Sequence, residues 1–280
     1  MPDALKSECP EPEEPKPAEV APQKNLGRPS AKDIFTEVAT NARRELRRTN
    51  LALAISGLGG GAFLGLSALG MSFVQVLLGH SSADHLIASM FYPVGFIVVI
   101  IGRSQLFTEN TLYPAALVLA ERKHVLNTLR LWTVVLPANL AGALGFAAIT
   151  VFTSGINRSF VNAISQLGTS ALNHPFGTIF WSGVIAGWMI ALTAWLVSSS
   201  HSITGSVMVI WMLTFFIALG DFAHCVATSC EILVAVLAGH AAWSAYGWWL
   251  IAAVAGNIVG GVVLVAVLEY GQAIFAEESE

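Results

Sequence analysis

Thr108, Glu109 and Arg103 stand in "IIGRSQLFTENTLYP" (residues 100–114), between the apolar runs "FYPVGFIVV" and "AALVLA". A second polar island, "LGDFAHCVATSCE" (219–231), sets Asp221, His224, Thr228 and Glu231 among equally apolar neighbours. An ionisable side chain at membrane depth costs several kcal/mol, so each one is a functional candidate. His224 can gain or lose a proton near neutral pH, because an unperturbed imidazole titrates at about 6.5. Thr108 can turn a hydroxyl into a pathway, with Leu106 and Phe107 as an apolar constriction beside it. A plainer reading stands next to each of these. Thr108 and Asn110 can cap two half-helices, and His224 can be neutral and bonded to a carbonyl. Asp221 and Glu231 either pair with Arg103 or cap helix ends.

The elements that must position these residues follow from composition. Of 280 residues, 55% are hydrophobic and 11% charged, with a mean hydropathy of +0.66. Soluble domains carry about a quarter charged residues. Between Leu131 and Leu268 the formally charged residues are Arg158, Asp221 and Glu231, and no lysine follows Lys123. Such a chain cannot cover a water-facing surface, so it reads as an all-α integral membrane protein. Cys9, Cys225 and Cys230 make no disulfide framework. No cluster of metal ligands and no phosphate-binding loop is present, so no metal, cofactor or ATP-driven step is expected, and no nucleic-acid partner either.

Residues 1–30 are rich in Pro, Glu and Lys and read as a disordered tail. Residues 31–49 place Ile34, Val38 and Ala42 at helical spacing ahead of four arginines, which predicts an amphipathic basic helix anchored at the membrane surface. Six hydrophobic segments follow, roughly 51–79, 86–120, 128–153, 176–198, 204–238 and 247–270, each near the ~20 residues of a membrane span. The second and fifth are too long for one simple helix and hold the two polar islands. The membrane domain therefore runs over residues 50–270, and 271–280 form a C-terminal tail. Nothing in the first fifty residues resembles a signal peptide. Arg43, Arg44, Arg47 and Arg48 precede the first span, and "ERKH" with Arg130 follows the second. The positive-inside rule puts these ends, and both termini, in the cytoplasm.

The spans also repeat. "LPANLAGALGFA" and "VAGNIVGGVVLVA" align on Asn139 and Asn257, with Gly142 matching Gly260. "SGLGGG" from Ser56 and "SGVIAG" from Ser182 align as Ser-Gly-x-x-x-Gly. The offsets, 118 and 126 residues, equal about three spans. A three-span unit used twice is an inverted repeat, and substrate paths in such proteins run along the repeat interface through discontinuous helices. Asn139 and Asn257 are then either interhelical glue or pore-facing donors.

"FYPVGFIVVIIGRSQLFTENT", "GDFAHCVATS" and "AGNIVGG" resemble the formate/nitrite transporter family over roughly residues 50 to 270. The resemblance implies an aquaporin-like fold, a homopentamer with one pore per protomer and a bacterial inner-membrane location. It implies a loop threonine, Thr108, facing a central histidine, His224, between two apolar constrictions. Tyr92, Phe96 and Ile217 fall near the constriction positions, and Asn257 matches the family asparagine of the last span. The family's vestibule lysine falls near Ala171, where this chain has "SALNHPF". A family asparagine of the fourth span aligns with Gly187, and the usual Gly-Ala-Asp/Glu-Leu-Phe-Thr loop reads "GRSQLFT". Arg103 either replaces the missing charge or anchors the loop.

The expected function is a passive or proton-linked channel for small monovalent anions or their conjugate acids, in contact with membrane lipids. A pore for neutral solutes or hydrosulfide, and a transport-inactive scaffold, are the alternatives. An intramembrane enzyme on His224 with Cys225 or Glu231 lacks a nucleophile motif, and no enzymatic activity is expected.

Overall fold

The structure, a computed structural model, describes residues 29–79 and 83–275. The tail expected over 1–30 lies outside the described residues except for its last two, as do Cys9 and residues 276–280. Residues 271–275, expected in the C-terminal tail, continue the final helix.

Helix α1 (Ala31–Leu46) opens on a reciprocal cap. Ser30 Oγ accepts the Asp33 N–H at 3.2 Å, and Asp33 Oδ2 accepts the Ser30 N–H at 2.9 Å. Its apolar stripe was expected on the lipid surface. Instead Val38, Ala39 and Ala42 are buried, and Ala39 and Ala42 join a small cluster with Leu117. The arginines that follow are tied to the same end of the bundle. Arg43 meets Glu121, and Arg130 donates to the carbonyls of Leu46 and Arg48.

The first span is α2 (Asn50–Leu78), and the third is α6 (Val125–Phe152). The second is assembled from α3 (Asp84–Ser89), α4 (Pro93–Ile101), a 3₁₀ turn (Glu109–Thr111) and α5 (Tyr113–Glu121). Pro93 and Pro114 sit in the first turns of α4 and α5, where a missing N–H costs no intrahelical bond. An amphipathic helix that the hydropathy reading missed, α7 (Arg158–Leu172), then packs on α10 and α2. Next come α8 (Phe176–Ser199), α9 (Ile203–Leu219), α10 (Ala227–Leu237) and α11 (Trp243–Val259). A π-helical stretch (Gly260–Val267) joins α11 to α12 (Leu268–Phe275). Among the described residues five helical stretches are long and apolar enough to cross a membrane, and the fifth expected span is divided into the shorter α9 and α10.

Two tight helix pairs organise the bundle, α2 with α6 and α8 with α11. Both crossings need glycine because backbone meets backbone. A methyl at Gly61 would strike the Asn139 carbonyl, and one at Gly187 the Asn257 carbonyl. These glycines close the two Ser-Gly-x-x-x-Gly motifs, and their partners are the two repeat-related asparagines. After each break the chain crosses to the other triplet: α10 packs on α2 and α6, while α5 packs on the π-helical stretch. Leu51, Ile55, Leu77 and Trp248 point outward and exposed, as a lipid-facing surface requires.

Candidate functional site

Both breaks are built by the same hydrogen bonds. In the first, the Gln105 N–H donates to Ser56 Oγ (3.0 Å) and the Phe107 N–H to Asn139 Oδ1 (2.9 Å). Asn139 Nδ2 donates to the carbonyls of Gly57 (2.7 Å) and Gln105 (2.9 Å). In the second, the Ala223 N–H donates to Ser182 Oγ (2.9 Å) and the Cys225 N–H to Asn257 Oδ1 (2.9 Å). Asn257 Nδ2 donates to the carbonyls of Gly183 (2.8 Å) and Ala223 (2.9 Å). Non-helical backbone survives at membrane depth only when its polar groups are satisfied within the protein, and each asparagine satisfies two of them while its third bond, to Gly57 or Gly183, ties the break to a helix.

The helices entering the breaks stop in the same way. Arg103 (φ 59°) and Asp221 (φ 50°) take the left-handed conformation one residue after a glycine. Ser104 N–H reaches the Val99 carbonyl and Arg103 N–H the Ile100 carbonyl; Phe222 and Asp221 do the same to Ile217 and Ala218. Both ends are Schellman caps.

Thr108 and His224 meet between the breaks, and both are fully buried. His224 Nδ1 accepts the Ala227 N–H at 3.0 Å, so its hydrogen is assigned to Nε2, which donates to Thr108 Oγ1 at 2.8 Å. Thr108 is held from behind, since its carbonyl accepts from Thr111 Oγ1 at 2.7 Å. Phe96 sets its ring edge-on to the imidazole, 5.0 Å between centroids, and Tyr92 packs 5.2 Å from Phe96. With both imidazole nitrogens engaged, neither activates a cysteine.

Two of the cavities among the described residues bear on the breaks, and neither Thr108 nor His224 lines them. The first, of about 330 Å³, is lined by Leu106, Glu109 and Arg103 from the first break and by Asn41, Arg44 and Glu45 from α1. Glu45 Oε2 accepts from Gln105 Nε2 at 2.7 Å, fastening α1 to the break. The second, of about 890 Å³, is lined by Tyr92, Ile217, Asp221, Thr228, Glu231 and Ala171, among others.

These positions correct several expectations. Arg103 lies on the first cavity and Asp221 and Glu231 on the second, so of the two alternatives for these carboxylates the pairing with Arg103 does not form. For the same reason Arg103 does not stand in for the lysine missing near Ala171. Phe107 lines neither cavity; its ring packs on Trp132 at 5.9 Å. Thr108 and Asn110 make no side-chain cap, because the threonine hydroxyl meets His224 and Asn110 Nδ2 donates to Gln105 Oε1. Asn257 does not face a pore: both its amide hydrogens and its oxygen hold the second break. Leu106 lines the first cavity, Tyr92 and Ile217 line the second, and Phe96 lines neither but packs on His224 and Tyr92. Ser56 and Ser182, read only as marks of the repeat, proved to be the acceptors that start each break.

A family model described as "Formate/nitrite transporter" matches residues 32–271. Among curated proteins the chain is 32% identical over 247 residues to the inner membrane protein YfdC of Escherichia coli (strain K12), covering 85% of this chain and 77% of that protein. Among solved structures it is similar to one described as an "FNT family ion channel", with a TM-score of 0.78, 21% identity, and 85% and 98% of the two chains covered. A second, a "Pentameric formate channel with formate bound", gives a TM-score of 0.66 at 21% identity over 79% of this chain and 96% of that one.

Proposed function

The chain belongs to the formate/nitrite transporter family, and from that premise we propose that it is a channel or transporter for small monovalent anions or their conjugate acids. The single observation carrying this reading is the fully buried Thr108–His224 hydrogen bond, which joins the two breaks. A bare anion loses its hydration among Phe96, Tyr92, Ile217 and Leu106, which is costly in a low-dielectric passage. The neutral acid avoids most of that cost. At the centre, Thr108 and the His224 Nε2–H offer hydrogen bonds that compensate a passing oxygen.

Proton linkage is constrained by the imidazole's other side. His224 has no vacant lone pair while Nδ1 holds the Ala227 N–H, so taking a second proton requires that bond to open. The test is flux of formate and nitrite into proteoliposomes between pH 5 and 8. A wild-type pH dependence that His224→Ala abolishes supports linkage. Identical profiles for the two proteins remove it, and no flux of any solute leaves a transport-inactive scaffold.

A pore for neutral solutes is the second reading, favoured by the second cavity, whose lining holds Glu231 and Asp221 and neither lysine nor arginine. Swelling assays comparing neutral solutes with salts separate the two. Five copies form the assembly in this proposal, on the strength of the solved pentameric channel. An inner-membrane location follows the relative YfdC. The end carrying α1, Arg43, Arg122, Lys123 and Arg130 faces the cytoplasm, where basic residues concentrate.

A further inference from the structure

Glu231 is 7% exposed, and what it exposes faces the second cavity. Among the described residues its carboxylate has no hydrogen bond and no ion pair, yet its oxygens are not sealed from that space. Asp221 brings a second carboxylate to the same cavity, 73% exposed in its side chain, with His85 Nε2 3.9 Å away. The other titratable groups of the lining are His174 and the Tyr92 hydroxyl.

The first cavity gives the contrast. There Glu109, 9% exposed, shares the lining with Arg103 and Arg44. Where the fold buries a carboxylate on that side it also supplies guanidinium groups. On the second side it supplies none. An uncompensated carboxylate away from bulk water costs several kcal/mol, and a proton or an arriving cation that competes with it offsets that cost. Tyr92, Trp181 and Trp249 line the same space, and aromatic rings attract weakly hydrated cations. No group of three His, Cys, Asp or Glu suited to a metal ion occurs among the described residues.

We propose that the second cavity binds a small monovalent cation of the ammonium type on Glu231, with Asp221 at its mouth. In one respect this rests on the transport reading: an occupied site neutralises a mouth that otherwise repels anions, so the cation raises anion entry from that side.

The probe is methylammonium chloride, titrated into the detergent-solubilised full chain at constant ionic strength while tryptophan fluorescence is followed. Sodium and N-methylglucamine chlorides are the comparators. The expected result is a saturable change with methylammonium that neither comparator produces. Glu231→Gln should weaken it at least about tenfold, and Asp221→Asn, on the exposed rim, about two- to threefold. No saturable response in the wild type, equal responses to all three salts, or unchanged affinity in Glu231→Gln overturns the proposal. Should Glu231→Gln fail to elute as a single species, Asp221→Asn decides alone, and unchanged affinity there overturns it. Formate flux with each cation outside, at buffered internal pH, is read separately. Binding without flux keeps the site and removes the transport reading; flux without binding does the reverse.

Discussion

Leu106 and His224 occupy the same place in two related breaks. Each lies between the residue whose carbonyl accepts from the asparagine amide, Gln105 or Ala223, and the one whose N–H donates to it, Phe107 or Cys225. One scaffold thus presents an isobutyl group on one side and an imidazole on the other. The histidine stands on a duplicated frame whose asparagine clamp bonds the residues on either side of it and not its ring.

That duplication makes the two asparagines equivalent in cost. Asn139→Ala and Asn257→Ala each orphan a buried N–H and a buried carbonyl of the break and cut its tie to a helix, and each should lower stability by about 2–4 kcal/mol. Thermal unfolding of the detergent-solubilised protein checks this, and a large effect at only one site would contradict the symmetry. Asn→Asp should restore little, because a carboxylate cannot donate to the two carbonyls.

The glycine pairs give a second prediction. Gly61→Ala and Gly187→Ala press a methyl into an opposing backbone carbonyl and should cost about 1–3 kcal/mol or more. Gly145→Ala, with open space where the methyl goes, should be neutral or stabilising by up to about 1 kcal/mol. Unfolding midpoints of the three variants rank them.

At Arg103 and Asp221 the backbone and the charge can be separated. Both hold a left-handed conformation that glycine adopts freely, so Arg103→Gly and Asp221→Gly should each stabilise by up to about 1 kcal/mol. A loss of stability at either would mean that the side chain holds the break. Flux measured on the same variants then reads the charge alone.

The attachment of α1 should respond to acid. Hydrogen bonds from Arg43 and His124 hold the Glu121 carboxyl below its ordinary value. This contribution is therefore complete above the ordinary carboxylate range and is lost as pH falls through the lowered value. Limited proteolysis of α1 should accelerate below that range in the wild type, and Glu121→Gln should cleave fast at every pH.

How much of this was legible follows from what each signal depends on. Breaks reveal themselves because charged residues interrupt apolar runs, and Gly61, Gly142, Gly187 and Gly260 because close helix crossings exclude a side chain. The Thr108–His224 meeting came from the family motif, and two polar islands alone gave no reason to pair those atoms. Composition does not say which way a side chain turns, so Phe107 was set in the pathway and Asn257 was read as facing it. Helix α7 escaped because hydropathy averages out a stripe one side wide; Val161, Ile164, Leu167 and Ala171 do carry its spacing. The π-helical stretch left no mark beyond Gly260 and Gly261, the second of which sits against Thr111.

The clamps of the two breaks have one more consequence. Ser56, Gly57 and Asn139 all precede α7 in the chain, and Ser182, Gly183 and Asn257 all follow it. Every partner that closes the first break has therefore left the ribosome before the second triplet is made. The first half can settle its irregular backbone during synthesis, without waiting for the rest. Thr108, at its centre, must wait for His224, a partner not yet translated.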